Sequence, residues 1–346
     1  MRLLVLGGTR FLGRHLVEAA LARGDTVTLF TRGKQPVPWG ARVTHLTGNR
    51  DPRQAPGLAA LESGTWDAVV DTSGYVPRVV QASAELLAGR VGRYLFVSSI
   101  SVFTDASRAG LTERDPVGVL PVPGSEEIGK YYGPLKAACE SVVTEVFAGR
   151  ALNVRPGLIV GPHDPTDRFG YWVARFVHPQ LLGARGEVAV VPRPPARPLQ
   201  FIDARDLANF MLALLDANRD GTYNATSPRG QWTFADLVDA LVTAAGARAP
   251  RVAWVDESEL VAQKVEPWTG LPLWIPASFA SEAGFMQIDC GRAGRAGLRT
   301  RPLHATIADT AAWLAERDNG GAWRDVLSAE AECDVVRAIG GSAQLP

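Results

Sequence analysis

Cysteine is scarce. The three in 346 residues, Cys139, Cys290 and Cys333, share no paired spacing, and the five histidines form no HxH or HxxxH pattern. Neither a disulfide framework nor a zinc site follows from such spacing, and a reducing, cytoplasmic setting is expected. Lysine is scarcer than the 36 basic residues suggest: only Lys34, Lys130, Lys136 and Lys264 occur, so arginine carries most of the positive charge. Acidic residues also number 36, and neither sign is gathered into a block. Without a field of one sign, neither a nucleic acid nor a membrane surface is expected as a partner. No apolar run approaches the ~18 residues that span a bilayer, and no basic leader precedes a long apolar segment, so a soluble, unexported chain is expected. What the chain has in quantity is apolar residues, at 46%, enough for one large domain or two unequal ones.

Residues 1–13 read MRLLVLGGTRFLG. An apolar run over 3–6 breaks into Gly7 and Gly8, and Phe11, Leu12, Leu16 and Ala20 follow at helical spacing. That pattern predicts a buried strand, a tight turn and a helix, and such a turn aims backbone N–H groups and the helix dipole at one point where a pyrophosphate can sit. Further strands are predicted over 26–30, 43–46, 68–70, 94–97 and 152–154, with helices from Pro77 and after Pro134 between them. Alternation of this kind forces a parallel sheet with right-handed crossovers. The expected fold is therefore α/β, a doubly wound parallel sheet. Each strand ends in small or polar residues: Thr31 to Lys34, Gly48 to Asp51, Asp71 to Gly74, and Ser98, Ser99 and Ser101. In an open parallel sheet the ligand lies beyond these carboxyl ends.

Residues 104–130, rich in Gly, Pro and charge, suggest a surface loop bordering the site. After 160 the alternation loosens, with a strand and helix over 201–216 and a strand over 221–225. The domain division expected is 1–160 plus about 200–226 for the dinucleotide-binding unit, with 161–199 and 227–346 forming a smaller, mixed substrate-binding unit. Arg168 is a candidate for a phosphate or carboxylate of the substrate, its bland alternative being an ion pair with Asp164 or Asp167. Tyr75, Phe103, Trp172, Trp268 and Trp274 are candidates for an apolar pocket between the units, or for core.

The segment YGPLK places Tyr132 and Lys136 four positions apart on one helical face. A nearby ammonium favours phenolate, so Tyr132 is expected to have a lowered pKa and to exchange a proton with a carbonyl or alcohol. A serine hydroxyl from the 98–101 segment would donate to the same oxygen. Alternation along the strand groups Ser99 with Ser101 and sets Ser98 apart.

With these pieces in order, the chain resembles the extended short-chain dehydrogenase/reductase superfamily, which holds NAD-dependent epimerases, dehydratases and related reductases. The matching segments are GGTRFLG at 7–13, FVSSISVF at 96–103, YGPLK at 132–136, RPGLIVGP at 155–162, FIDARDLA at 201–208 and YNAT at 223–226. The resemblance implies Tyr132 as acid/base, Lys136 as its electrostatic partner and ribose clamp, and Ser99 as the oxygen-positioning hydroxyl. It implies a cofactor held by Gly7, Thr9, Arg10, Phe11, Leu12 and Gly13, by Asn49, Arg50, Thr72, Ser73 and Gly74, and by Pro156 beside the nicotinamide. Many members of the superfamily are homodimers.

Two departures bear on the cofactor. The glycine loop has Arg10 where the superfamily usually has glycine, and the acidic residue that usually ends the second strand is replaced by Thr31 followed by Arg32. An acid there would repel a 2′-phosphate, whereas a guanidinium can hold it, so NADP is expected, with NAD as the alternative. Net reduction of a small-molecule carbonyl is the first expectation. The alternatives are an NAD-dependent nucleotide-sugar epimerase or dehydratase and, because the GGTR form resembles a branch containing chloroplast stem-loop RNA-binding proteins, a noncatalytic RNA-binding or nucleotide-sensing module.

Overall fold

In a computed structural model, the chain is described over residues 1–184, 187–317, 323–324 and 326–340. Six strands and three helices alternate through the first part: β1 (Arg2–Leu6), α1 (Phe11–Ala22), β2 (Thr26–Thr31), β3 (Val43–Thr47), β4 (Trp66–Asp71), α2 (Pro77–Leu87), β5 (Val91–Val97), α3 (Ile128–Val146) and β6 (Ala151–Pro156). Then follow β7 (Leu158–Val160), α4 (Arg168–Val177), β8 (Val188–Pro192), β9 (Pro198–Leu199), β10 (Phe201–Asp203), α5 (Ala204–Asp216) and β11 (Gly221–Ala225). The chain continues with β12 (Trp232–Thr233), α6 (Phe234–Ala245), β13 (Arg251–Val255), α7 (Glu257–Ala262), α8 (Gly291–Arg295), α9 (Leu303–Glu316) and α10 (Ala329–Ile339).

Seven strands form one parallel sheet in the order β11-β6-β5-β4-β1-β2-β3. The order reverses beside β1, which puts a crevice at the carboxyl ends of β1 and β4. Leu3, Leu4, Val5 and Leu6 have no exposed surface because helices cover both faces of the sheet. On one face, Leu16, Val17 and Ala20 of α1 pack with Leu207, Met211 and Leu214 of α5. On the other, Val80 and Leu87 of α2 meet Cys139 and Val143 of α3.

A separate apolar cluster gathers α4, α6, α9 and α10 around the parallel pair β8 and β13. Trp172 and Trp274 lie fully inside it, so two of the tryptophans considered for a pocket are core residues. A buried ion pair locks its last helix in place: Arg175 Nε lies 2.8 Å from a Glu332 carboxylate oxygen, and Glu332 also accepts from the Val190 N–H. Both charges need this pairing to be tolerated away from water.

Several local expectations are revised. β5 begins at Val91, ahead of the strand expected over 94–97, and takes in Gly92. Residues 201–203 pair with β7 outside the main sheet, while 221–225 supply its edge. The strand at 188–192 was not anticipated. The helix bearing YGPLK begins at Ile128, ahead of Pro134, but its backbone breaks at Tyr131 (φ −123°, ψ 32°). Pro134 thereby falls in the first turn after the break, where its missing N–H is not needed.

The turn between β1 and α1 depends on contact between backbones. A Cβ on Gly13 would stand 2.7 Å from the Gly8 Cα. Neither atom can swing aside as a side-chain tip would. Gly13→Ala is expected to cost about 1–3 kcal/mol through displacement of α1, measured as a lower urea midpoint at unchanged m-value.

Candidate active site

A crevice of about 1570 Å³ opens at the carboxyl ends of the parallel strands. Single-ligand pockets usually occupy roughly 300–1,000 Å³, so this one has room for two molecules side by side. It is lined by Gly7, Thr9, Arg10, Phe11, Leu12 and Gly13 from the first turn, and by Arg32, Asn49, Arg50, Thr72, Ser73, Tyr75, Ser99, Phe103, Tyr132, Lys136, Pro156 and Arg168 from later segments. Gly74 is not among the lining residues; it contributes a carbonyl to the layer beneath.

At the turn, Gly7 (φ 101°) and Gly8 (φ 99°) take left-handed backbone that other residues resist. Thr72 and Ser73 close the neighbouring strand end by donating their hydroxyls to the Leu6 carbonyl, each at 3.0 Å. Arg10 is exposed and occupies the N-cap of α1 without using its side chain there.

Beneath the crevice lies a charge cluster that the sequence reading did not assemble. Asp71, with no exposed surface, accepts two bonds from Arg50 (2.6 and 2.7 Å), one from the Tyr94 hydroxyl (2.9 Å) and one from the Ser73 N–H (3.0 Å). Arg50 also donates to the Ser83 hydroxyl at 2.8 Å. Its guanidinium is therefore committed to the protein even though it borders the crevice. The signal available in the sequence was an aspartate closing the apolar strand 68–70.

Lys136 is buried and donates to the Gly74 carbonyl (2.8 Å) and the Val97 carbonyl (2.5 Å). Its ammonium also stands over the Phe96 and Tyr75 rings, 4.3 and 5.0 Å from their centroids. Burial lowers its pKa to about 8, opposed chiefly by the Asp71 charge.

Tyr132 follows the break in α3. The helix approaches the 99–102 segment so closely that a Cβ on Gly133 would meet the Ser101 carbonyl oxygen at 2.1 Å. This approach brings the Tyr132 hydroxyl close enough to Ser99 for the serine to favour its ionised form. Ser99 is further fixed by accepting from the Ser101 N–H at 3.0 Å, while the Ser98 hydroxyl is buried. The expected lowering of the Tyr132 pKa is reversed. Burial raises it, and Ser99 and Arg168 only partly offset that rise. The physical reason is that the Lys136 ammonium is satisfied by two carbonyls rather than aimed at the phenol.

The two ends of the crevice differ in character. At the end of β2, the Thr31 hydroxyl contacts His45 Nε2 at 2.8 Å and accepts from the Gly33 N–H, so no carboxylate occupies this position. Arg32 and Lys34 line the same end, with Arg10 nearby, and none of these side chains has an ion pair among the described residues. At the opposite end stand Phe103, Pro267, Trp268, Phe279 and Phe285, together with Arg168 and Glu282. Asp167 pairs with Arg317 at 2.6 Å, and Asp164 accepts from Thr166, so neither neutralises Arg168 through a direct bond. Phe279 and Phe285 lie in a segment without periodicity, so no local pattern singles them out.

No His, Cys, Asp or Glu grouping suited to a metal occurs among the described residues, and no helix there is long and apolar enough to cross a membrane. The three thiols are free.

A doubly wound sheet with a glycine turn at its switch point defines a Rossmann-type α/β protein. The profile of the NAD dependent epimerase/dehydratase family matches residues 3–226, and the chain belongs to that family, within the extended short-chain dehydrogenase/reductase superfamily of NAD(P)-dependent enzymes. Among curated proteins it is 26% identical over 275 residues to chloroplast stem-loop binding protein of 41 kDa b from Arabidopsis thaliana, covering 75% of this chain and 67% of that protein. It is 29% identical over 270 residues to dTDP-6-deoxy-L-talose 4-dehydrogenase (NAD(P)(+)) from Kitasatospora kifunensis, covering 71% and 79%. The fold matches that of UDP-glucuronic acid 4-epimerase from Bacillus cereus, solved with NAD, at a TM-score of 0.63 and 16% identity over 93% of this chain and 99% of that one.

The Lys136 environment has a measurable thermodynamic consequence. Its pKa is about 8 when folded, against about 10.4 for a free lysine. Between these values the unfolded chain holds a proton that the folded chain has released, so this group makes stability rise with pH across that window and leaves it level below. Urea denaturation at successive pH values should show the rise in the native protein and its loss in Lys136→Met; parallel curves for the two proteins would contradict the burial effect.

Proposed function

We propose that the protein is an NADP-dependent oxidoreductase acting at a carbonyl or alcohol carbon of a small molecule. The observation that carries this reading is the meeting of Ser99, Tyr132 and Lys136 with the glycine turn in one crevice. The turn fits a dinucleotide: its glycines free the backbone to approach a pyrophosphate, and the N-terminus of α1 lies beside it. Gly7, Thr9, Arg10, Phe11, Leu12 and Gly13 would hold that group, and Pro156 would border the nicotinamide. The absence of an acid at Thr31, together with the cations Arg10, Arg32 and Lys34, which have no ion pair among the described residues, supports a 2′-phosphate.

When bound, NADPH supplies a hydride to the carbonyl carbon, so one proton completes the alcohol. Tyr132 delivers that proton from its hydroxyl. Ser99, oriented by the Ser101 N–H, donates to the same substrate oxygen as negative charge develops. A Tyr132 with a raised pKa holds its proton at neutral pH, which suits an acid in the reducing direction. Lys136, charged below about pH 8, lies beneath the site, where its positive charge favours the phenolate that proton delivery leaves behind.

The family match and the named activity of the Kitasatospora relative support oxidation and reduction of small molecules. Transient oxidation within an NAD-dependent nucleotide-sugar epimerase or dehydratase is the second reading, favoured by the family description. Similarity to the stem-loop binding protein favours an RNA-binding module, but a formal net charge of +0 provides little general attraction for phosphates.

Tyr132→Phe is expected to lower kcat by about 10²–10⁴-fold while leaving the cofactor Kd within twofold. Turnover equal to that of the native enzyme would remove Tyr132 from the chemistry. In a separate measurement, calorimetry should find NADP binding weakened roughly 10- to 100-fold by Arg32→Asp, with NAD unaffected or improved. Equal affinity of the native protein for both dinucleotides would overturn the cofactor assignment.

A further inference from the structure

We infer that the end of the crevice remote from Arg32 accepts a carbonyl compound with an apolar body and a single carboxylate, the carboxylate held by Arg168. This rests on the hydride-transfer reading above and specifies its substrate.

The first observation is an arginine without an acceptor. Arg168 is half-buried at the start of α4 and lines the crevice, yet its guanidinium forms no hydrogen bond or ion pair among the described residues. A planar fork of donors removed from water calls for a matching pair of oxygens, and a carboxylate presents them. Its neighbours in the chain do not fill that role. The Asp167 carboxylate is held by Arg317, and Asp164 turns one oxygen to Thr166 while burial pushes its carboxyl up to about 6.

A second observation fixes where the guanidinium lies. It stands 5.3 Å from the centre of the Trp268 ring, and Trp268 adopts φ 66°, backbone that a tryptophan takes only when its surroundings enforce it. The Trp268 N–H donates to the Trp274 carbonyl at 3.1 Å, tying this strained residue to the core. Stacking immobilises the guanidinium without consuming its donors. Arg168 is also close enough to Tyr132 for the two to perturb each other's ionisation, so an anion on Arg168 and a carbonyl at Tyr132 can belong to one small molecule.

The surroundings set the charge. Phe103, Pro267, Phe279 and Phe285 give this end an apolar wall, and Glu282 adds a carboxylate to it. Arg168 brings a single positive charge to this end, and the carboxylates of Glu282 and Asp164 lie near it, so the two phosphates of a nucleotide sugar, or a phosphate monoester carrying about −1.5 to −2 charges at neutral pH, would be poorly matched. A monocarboxylate fits the free donor fork of Arg168 while adding the least further negative charge.

The test uses the full-length protein saturated with NADP. Calorimetry would compare alkyl and aryl keto acids with their methyl esters, alongside UDP-glucose and dTDP-glucose. The acids are expected to bind roughly 30- to 100-fold more tightly than the esters. Arg168→Gln should abolish that ratio while changing ester and NADP affinity less than twofold, and Arg168→Lys should restore part of it. Acid and ester binding alike, equal weakening of both by Arg168→Gln, or a nucleotide sugar binding more tightly than every acid would overturn the inference. NADPH oxidation by the same compounds separates the two levels. Tyr132-dependent turnover without acid preference leaves hydride transfer standing and removes the carboxylate site, whereas Arg168-dependent acid binding without any NADPH oxidation removes hydride transfer.

Discussion

The site is organised by a negative charge that water cannot reach. Asp71 ends β4 inside the protein, and a carboxylate there is tolerable only if each lone-pair direction is used. Arg50 approaches from the end of β3, Tyr94 from β5 and the Ser73 N–H from the following turn. Breaking such a buried pair typically costs about 3–5 kcal/mol, because the surviving partner keeps its desolvation penalty. The cluster therefore does more than join three strands. It fixes the 72–75 turn, whose Gly74 carbonyl receives the Lys136 ammonium, and its charge opposes the loss of the Lys136 proton. Strand ends, turn and lysine form one connected arrangement beneath the crevice.

That connection explains what could be read in the sequence and what could not. The run at 3–6, the glycine turn and the alternation of strands with helices are local patterns, and they foretold the parallel sheet. Tyr132 and Lys136 were paired by helical spacing, whereas the choice of Ser99 over Ser98 and Ser101 rested on the family resemblance. Arg50 and Asp71 are 21 positions apart, and nothing local to either states that they pair. The same holds for the tryptophans. Trp268 and Trp274 share one short segment, yet one borders the crevice and the other lies in the core, a difference made by packing against α4 and α6. The Tyr132 pKa failed for a related reason: spacing placed an ammonium nearby, but only the fold could reveal the two carbonyls that claim it.

The family relationship has the same limit. A common sheet accommodates epimerases, dehydrogenases and a stem-loop binding protein, so the architecture by itself selects none of these activities. Selection has to come from side chains at the two ends of the crevice. Thr31 in place of an acid alters one end; Arg168, Trp268 and Glu282 define the other.

Charge pairing is what makes those side chains informative. Basic and acidic residues are equal in number, and many arginines are neutralised where they stand: Arg23 by Asp25 and Asp216, Arg78 by Asp51 and Glu126, Arg205 by Asp203, Arg301 by Asp206, and Arg317 by Asp167. Isolated basic residues such as Arg42 and Arg248 are exposed to water, where salt screens them. Arg10, Arg32 and Lys34 differ because they face one shared concavity, where low-dielectric walls strengthen their combined field. Sequence-independent attraction for a long polyanion requires positive charge spread along a surface. Cations gathered in a crevice, without ion pairs among the described residues, suit a compact anionic ligand better than a long one. The guanidinium of Arg168 beyond Tyr132 would then read a different, smaller anion, and on the proposed function the charge pattern would separate a cofactor end from a substrate end.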